Sequence, residues 1–385
     1  MKKIAIVAIG YNRVPSMMRL VNALNQAEYE NDNVTLFISI DYSGTDELEN
    51  YAKTITWKQG EKVILTHPSR LGLRKHILTC GDILKDYDAL IVFEDDIVPA
   101  TSFYQYAKQA VQFYSKDENV AGISLYTHLL NEQVDLPFLP SKTKFDAYFL
   151  QYAQSWGQVW LKKQWFEFKE WYENNSGELK EEPNMPSFLA SWPATSWLKY
   201  HIKYCIEKNK YFVYPYTSFS TCFSDVGVHT KMKETRLQVP LHEGGINQLN
   251  FPVFGDPEAV YYDSFFEREC LAQHLGIANE DLIVDIYGHH TCYEERRFVL
   301  SKKNLNYKII KSFALEYRPH ELNIINNREG HEIFLYDTSI ESHNKVNKVS
   351  MNNSLQYYLK LYGRNKKLVQ ILSHNVKQKF LPFLK

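Results

Sequence analysis

The sequence predicts an α/β fold, a mostly parallel sheet flanked by helices, on three observations. Short apolar runs at residues 4–9, 34–40 and 90–93 read as strands buried on both faces. Amphipathic stretches of helical period separate them; after Pro15, the residues Met17, Leu20, Val21 and Leu24 share one face. Each run then ends in polar side chains: Tyr11-Asn12-Arg13, Asp41, and Glu94-Asp95-Asp96. In open α/β sheets ligands sit beyond the carboxyl ends of the strands, so chemistry is expected at these polar ends.

The opening Met1-Lys2-Lys3 with its short apolar run imitates a signal peptide, but Tyr11-Asn12-Arg13 follows in place of a small-residue cleavage site. It reads as the first strand. A second strand, 34–40, ends at Asp41, and a third, 62–65, at Thr66-His67-Pro68. A helix over 74–84 leads into the acidic strand. Pro99 stops that strand, and Thr101 or Ser102 can cap a helix over 103–114. Strand 119–125 follows, then a loop-rich stretch over 126–150. Trp165, Phe168 and Tyr172 share a helical face, and a second helix is expected over 196–208 before strand 211–215. Residues 253–271 read as loop then helix. Residues 282–290 read as a strand ending in His289-His290, whose neighbouring side chains would point to opposite faces. Residues 306–338 suggest a small β appendage with a hairpin. From 342 to 385 there is no acid and there are nine Lys or Arg, with Leu368, Val369, Leu372, Val376 and Phe380 on one helical face. Such a basic amphipathic helix can lie on an anionic membrane surface, here through 354–385. No run reaches the ~20 apolar residues that span a bilayer.

A net charge of -1 argues against a nucleic-acid-binding protein. Five cysteines without a CxxC pair argue against a disulfide scaffold or a zinc site. Neither GxGxxG nor GxxxxGK[ST] follows the first strand, which takes support from dinucleotide and P-loop folds. What stands out is Glu94-Asp95-Asp96. Adjacent acids at a buried strand end repel one another and lose solvation. A hard divalent cation, Mn²⁺ or Mg²⁺, relieves both, and substrate phosphates complete its shell. Arg13 and Asp41 could bracket a base and ribose; Arg70 and Arg74 could meet phosphates. Trp156-Gly157 pairs an aromatic face with a residue that allows close backbone approach, as a wall of an acceptor pocket would.

Over residues 3–240 these features, in this order, resemble the nucleotide-sugar glycosyltransferases of GT-A type. The likeness is to family-2-like bacterial polysaccharide transferases and, more distantly, to animal N-acetylglucosaminyltransferase I. It rests on Tyr11-Asn12-Arg13, Asp41, Glu94-Asp95-Asp96, Ser155-Trp156-Gly157, Trp192-Pro193 with Trp197, and the stretch from Tyr214-Pro215 to His229. The resemblance implies that Asp96 ligates the metal, with Asp95 on ribose or metal and Glu94 in support. Asp225, Gly227 and His229 would form a loop over donor or acceptor, and Trp192 and Trp197 would join Trp156 and Gly157 at the acceptor. It also implies inversion at the anomeric carbon, a UDP-linked donor, and a saccharide or lipid-linked acceptor in capsule or O-antigen synthesis. The setting would be cytoplasmic, peripheral on the inner face of the bacterial membrane. The animal enzyme has its catalytic Asp just after a Trp corresponding to Trp197, where this chain has Leu198-Lys199. Asp225 is the expected substitute, with Asp146 and Glu243 behind it, and His229 could serve as base, metal ligand or phosphate partner. The expected organisation is 1–300 as the transferase domain (1–125 nucleotide-binding, 126–300 acceptor), 301–341 as a β appendage and 342–385 as a basic tail. The alternatives are a nucleotidyltransferase and an inactive nucleotide-sugar-binding protein.

Overall fold

The strand β1 (Ile4–Gly10) is buried along its whole length, and α1 (Val14–Gln26) returns over it. Pro15 sits in the first turn of α1, and the helix buries Met17, Leu20, Val21 and Leu24, the face its spacing predicts. Next come β2 (Thr35–Ile40), α2 (Glu47–Thr54), β3 (Lys62–Thr66), α3 (Leu73–Cys80) and β4 (Ala89–Glu94). The four strands are parallel in the order β4-β1-β2-β3, the arrangement that right-handed crossovers through helices produce. The helix expected over 74–84 is shorter; after Cys80 the chain tightens into a 3₁₀ turn, Gly81–Lys85. This computed structural model describes residues 2–223, 225, 236–293, 295–344, 353–354 and 356–358.

After β4 come β5 (Ile97–Pro99), α4 (Phe103–Tyr114) and β6 (Val120–Ser124). Ser102 holds the N-cap position of α4 without capping it; its hydroxyl faces His242 Nδ1 at 3.0 Å. The stretch over 126–150 is more ordered than its sequence suggests. It contains the two-strand ladder of β7 (Leu130–Asn131) with β8 (Leu136–Pro137), and the wholly buried β9 (Ala147–Leu150). Then follow β10 (Gln158–Leu161), α5 (Lys162–Asn175), α6 (Phe188–Ser191), α7 (Leu198–Glu207), β11 (Tyr211–Pro215), β12 (Ser220–Cys222) and β13 (Tyr261–Tyr262). The complete sheet runs β13-β9-β11-β6-β10-β4-β1-β2-β3. It is mostly parallel, but β10 runs antiparallel to both its neighbours and β9 antiparallel to β11. Residues 253–271 form no helix, because Phe266 and Cys270 take positive φ values of 64° and 61°.

The chain divides into two compact units. The first comprises Met1–Cys270 with His289–Cys292, and the sheet above is its centre. The second begins at Leu271, earlier than the expected boundary at 300. It holds α8 (Ala272–Leu275), β14 (Leu282–Asp285), β15 (Phe298–Ser301), β16 (Tyr307–Phe313), α9 (Leu322–Ile325) and β17 (Ile333–Glu341). Its sheet runs β14-β15-β17-β16 over a small core of Val299, Phe334 and Tyr336. The strand read over 282–290 therefore ends at Asp285 and serves this smaller sheet. His289 and His290 pack instead on Phe265 of the first unit, His290 stacked at 3.7 Å. All five cysteines are free thiols. Among the described residues no helix is long and apolar enough to cross a membrane. The basic amphipathic reading of 354–385 falls almost wholly outside the described residues.

Candidate functional site

The β4 strand is apolar and buried until its last residue, so the fold carries Glu94 to the carboxyl end of the sheet, with the backbone behind it paired to β1 and, from Ala89 to Val92, to β10. Asp95 and Asp96 then make the turn into β5, which is pinned by its ladder with β12. The same end receives the turn after β1. There the Arg13 guanidinium spans both acids, with Nε at 3.2 Å from Asp95 Oδ2, a terminal nitrogen on Asp95 Oδ1, and that nitrogen 3.2 Å from Asp96 Oδ2. Arg13 was expected beside a nucleotide base with Asp41; the structure pairs it with the acids.

Three acidic side chains crowd around one guanidinium. Burial pushes the Glu94 carboxyl up to about 8, with Asp96 and Asp95 adding to it. Burial likewise pushes Asp95 up to about 6 against the opposing pull of Arg13. Arg13 itself is held more firmly protonated than usual, because the two carboxylates outweigh its own desolvation. The acids differ in access: the side chain of Asp95 is 5% exposed and that of Asp96 34%. Among the described residues no three His, Cys, Asp or Glu side chains converge to hold a metal by themselves. The accessible Asp96 carboxylate beside two crowded acids does fit a Mg²⁺ or Mn²⁺ ion that takes the rest of its shell from phosphate and water.

The flanking residues are placed as follows. Asp41 is buried, and its carboxylate accepts the backbone N–H groups of Leu71 (2.7 Å) and Gly72 (2.9 Å). It therefore fixes the loop that carries Arg70, which is exposed with its guanidinium 5.0 Å from the Tyr11 ring. Arg74 turns to α7, donating to the Tyr200 hydroxyl at 2.8 Å. Asp225 accepts from Ser16 Oγ at 2.7 Å and pairs with Arg19. Burial works to raise its pKa, but Ser16 and Arg19 outweigh it and hold the carboxyl below the usual range. A carboxylate so engaged is a weakened proton acceptor. Asp146 accepts the Asn250 amide at 2.7 Å, and Glu243 is exposed. Gly227 and His229 lie outside the described residues.

The tryptophans do converge. Trp156, Trp192 and Trp197 line one cavity of about 390 Å³ together with Leu73, Leu198 and Glu94. Trp156, half-buried, leans on Tyr126 at 4.8 Å, and Trp197 meets Trp160 edge-on at 5.8 Å. Gly157 does not line the cavity. It takes φ 100°, and a Cβ there would stand 2.6 Å from Ser220 Oγ, so it sets the turn that presents Trp156. Lys199, two residues after Trp197, donates to the Trp192 carbonyl at 2.9 Å and so anchors the Trp192 loop.

One cavity residue escaped the sequence reading. Glu132 follows β7 in the stretch read as loop, with no neighbouring motif to mark it. Its Oε1 accepts the Tyr152 hydroxyl at 2.9 Å, and burial raises its pKa against the lowering effect of that donor. Only the ladder of β7 with β8, which is not visible as a pattern in four residues, brings it to the cavity.

No protein-family model and no curated protein matches the sequence. Among solved structures the chain is similar over 56% of its length to 57% of the mannosyltransferase PcManGT from Pyrobaculum calidifontis in complex with GDP-Man and Mn²⁺ (12% identity, TM-score 0.33). It is similar over 56% of its length to 42% of GalNAc-T7 with UDP, GalNAc and Mn²⁺ (16% identity, TM-score 0.39). It is also similar over 57% of its length to 59% of residues 1–349 of S. aureus TarS (12% identity, TM-score 0.34). The chain thus spans about half the length of each of these structures.

Proposed function

We propose that this chain is a nucleotide-sugar glycosyltransferase. In this reading it moves a sugar from a UDP-linked donor to a hydroxyl of a saccharide acceptor, with inversion at the anomeric carbon. One observation carries the reading. The acid strip at the end of β4 and the tryptophan cavity are adjoining sites, and Glu94 belongs to both. A crowded acid strip with the accessible Asp96 carboxylate suits a cation–diphosphate pair, and tryptophan faces suit the C–H faces of a pyranose.

In this mechanism Arg13 holds Asp95 and Asp96 in register, and Asp41 fixes the loop that carries Arg70 to the mouth of the donor side. Asp96 would hold a divalent cation, which would supply Lewis-acid neutralisation of the diphosphate leaving group. Trp156, Trp192 and Trp197 orient the acceptor ring and exclude water from it. Glu94, bordering both sides, takes the proton from the attacking hydroxyl onto a carboxylate oxygen. On geometry this role falls to Glu94 over Asp225, whose oxygens are engaged by Ser16 and Arg19. The acid-free, basic stretch over 342–385 supports an acceptor carried at an anionic membrane surface, such as a lipid-linked saccharide of a surface polysaccharide.

The test is nucleotide release from a panel of nucleotide sugars with Mn²⁺, with and without a glycoside acceptor, and with the product anomer read by NMR. Acceptor-dependent release is expected, and Asp96→Asn should lower it by about 10²-fold or more. Release untouched by Asp96→Asn and by chelation overturns the reading.

A further inference from the structure

The cavity has a charge signature that the proposed reaction does not require. Two acidic side chains, Glu94 and Glu132, line it, and none of its described lining residues is a Lys or Arg. Glu132 is not a loose surface acid. Its Oε1 is held by the hydroxyl of Tyr152, a fully buried residue whose own carbonyl accepts from Tyr214 at 2.7 Å. The segment that carries it is tied down on both sides. Asn131, wholly buried, reaches the Phe265 carbonyl with its Nδ2, and Gln133 Nε2 donates to the Ser264 carbonyl at 2.8 Å. A long acidic side chain fixed this firmly at the wall of a ring-sized, tryptophan-lined cavity has one evident task, which is to accept hydrogen bonds from a ligand's hydroxyls.

On the reading that the cavity takes the acceptor, we propose that Glu132 is a specificity-determining residue that restricts the acceptor ring to uncharged, hydroxyl-donating pyranoses and rejects uronates. A neutral pyranose gives its C–H face to tryptophan and its O–H groups to Glu132. A uronate of the same ring brings a carboxylate to a wall whose acceptor is the acidic Glu132, with no lining Lys or Arg to receive it. Against the wall of a partly enclosed cavity that repulsion is damped less than in bulk water.

The experiment uses the full chain, no donor, and matched probes: methyl glucoside against methyl glucuronoside, and methyl galactoside against methyl galacturonoside. Intrinsic fluorescence reports occupancy, since three tryptophans line the cavity. We expect at least one neutral glycoside to bind with a dissociation constant in the millimolar range and its uronate partner to bind at least about tenfold more weakly. Glu132→Gln keeps the Tyr152 hydrogen bond and removes the charge, so it should cut that ratio to about threefold or less; a melting curve checks that the variant is folded. Uronates binding wild type as well as neutral glycosides overturns the proposal. So does an unchanged ratio in folded Glu132→Gln, or no neutral binding up to about 10 mM. Because the assay contains no donor, it can fail while acceptor-dependent nucleotide release succeeds, and the reverse, so the two readings fall separately.

Discussion

At the scale of single residues, neighbours in sequence have unlike surroundings. Asp95 and Asp96 are joined by one peptide bond, yet one is sealed under Arg13 and the other faces outward. The chemistry of the strip therefore follows from access, not from residue type. The same holds for buried histidines away from the site. His201 lies flat on Phe168 at 4.1 Å, its ring nitrogens have no hydrogen-bond partner, and burial pushes its pKa down to about 3. Between that value and the ordinary histidine value the unfolded chain holds a proton that the folded chain refuses. Folding stability therefore falls as pH drops through this window, by up to ~1.4 kcal/mol per pH unit. His201→Phe preserves the stacked ring and removes the proton uptake. Urea melts at pH 7 and pH 5 should show a shallower loss of stability in the variant by about 1–2 kcal/mol. The sequence showed which residues carry charge at strand ends. It did not show that Arg13 would lie on the acids, or that Asp41 would hold backbone amides, because both depend on distances between turns far apart in the chain.

At the scale of elements, legibility follows length and burial pattern. The runs that became β1, β2 and β4 are continuous and apolar, and α4 matched its expected span of 103–114. The four-residue β9 and the two-residue β7 and β8 carry too few positions to establish a period, and they were read as loop. Glu132 was missed with them. Trp156, Trp192 and Trp197 were each legible as candidates; the fold added that α6, α7 and the turn before β10 bring them to one cavity. That turn depends on Gly157. Gly157→Ala places a Cβ at positive φ against Ser220, so a loss of about 1–3 kcal/mol is expected. The urea midpoint reads the stability, and glycoside-induced fluorescence reads the displacement of Trp156; both should change together.

At the scale of the whole molecule, the separation into two compact units confines the candidate chemistry to the first, since the acid strip and the cavity both belong to it. The second unit, organised on β14–β17, has its own small core, and no residue assigned to the site comes from it. Ligand binding reports on the stability of the folded molecule as a whole. The acid strip offers the accessible Asp96 carboxylate and, among the described residues, there is no closed ligand set, so Mn²⁺ alone should shift the melting temperature little. Mn²⁺ with UDP should shift it by several degrees, more than the two separate shifts added together, and Asp96→Asn should abolish the excess. Differential scanning fluorimetry with the four combinations measures it.

The reversed strand β10 joins these scales. It meets β4 through only four residue pairs, from Gln158 with Val92 to Leu161 with Ala89. That short ladder, with the pairing of β10 to β6, sets how far Trp156 stands from Glu94 along the strand direction. Moving the register by one place would turn every buried side chain of β10 to the opposite face, and moving it by two would translate Trp156 by about 7 Å. The separation between the acid strip and the tryptophan wall is therefore set by Val159, Trp160 and Leu161, apolar side chains that lie outside the cavity lining.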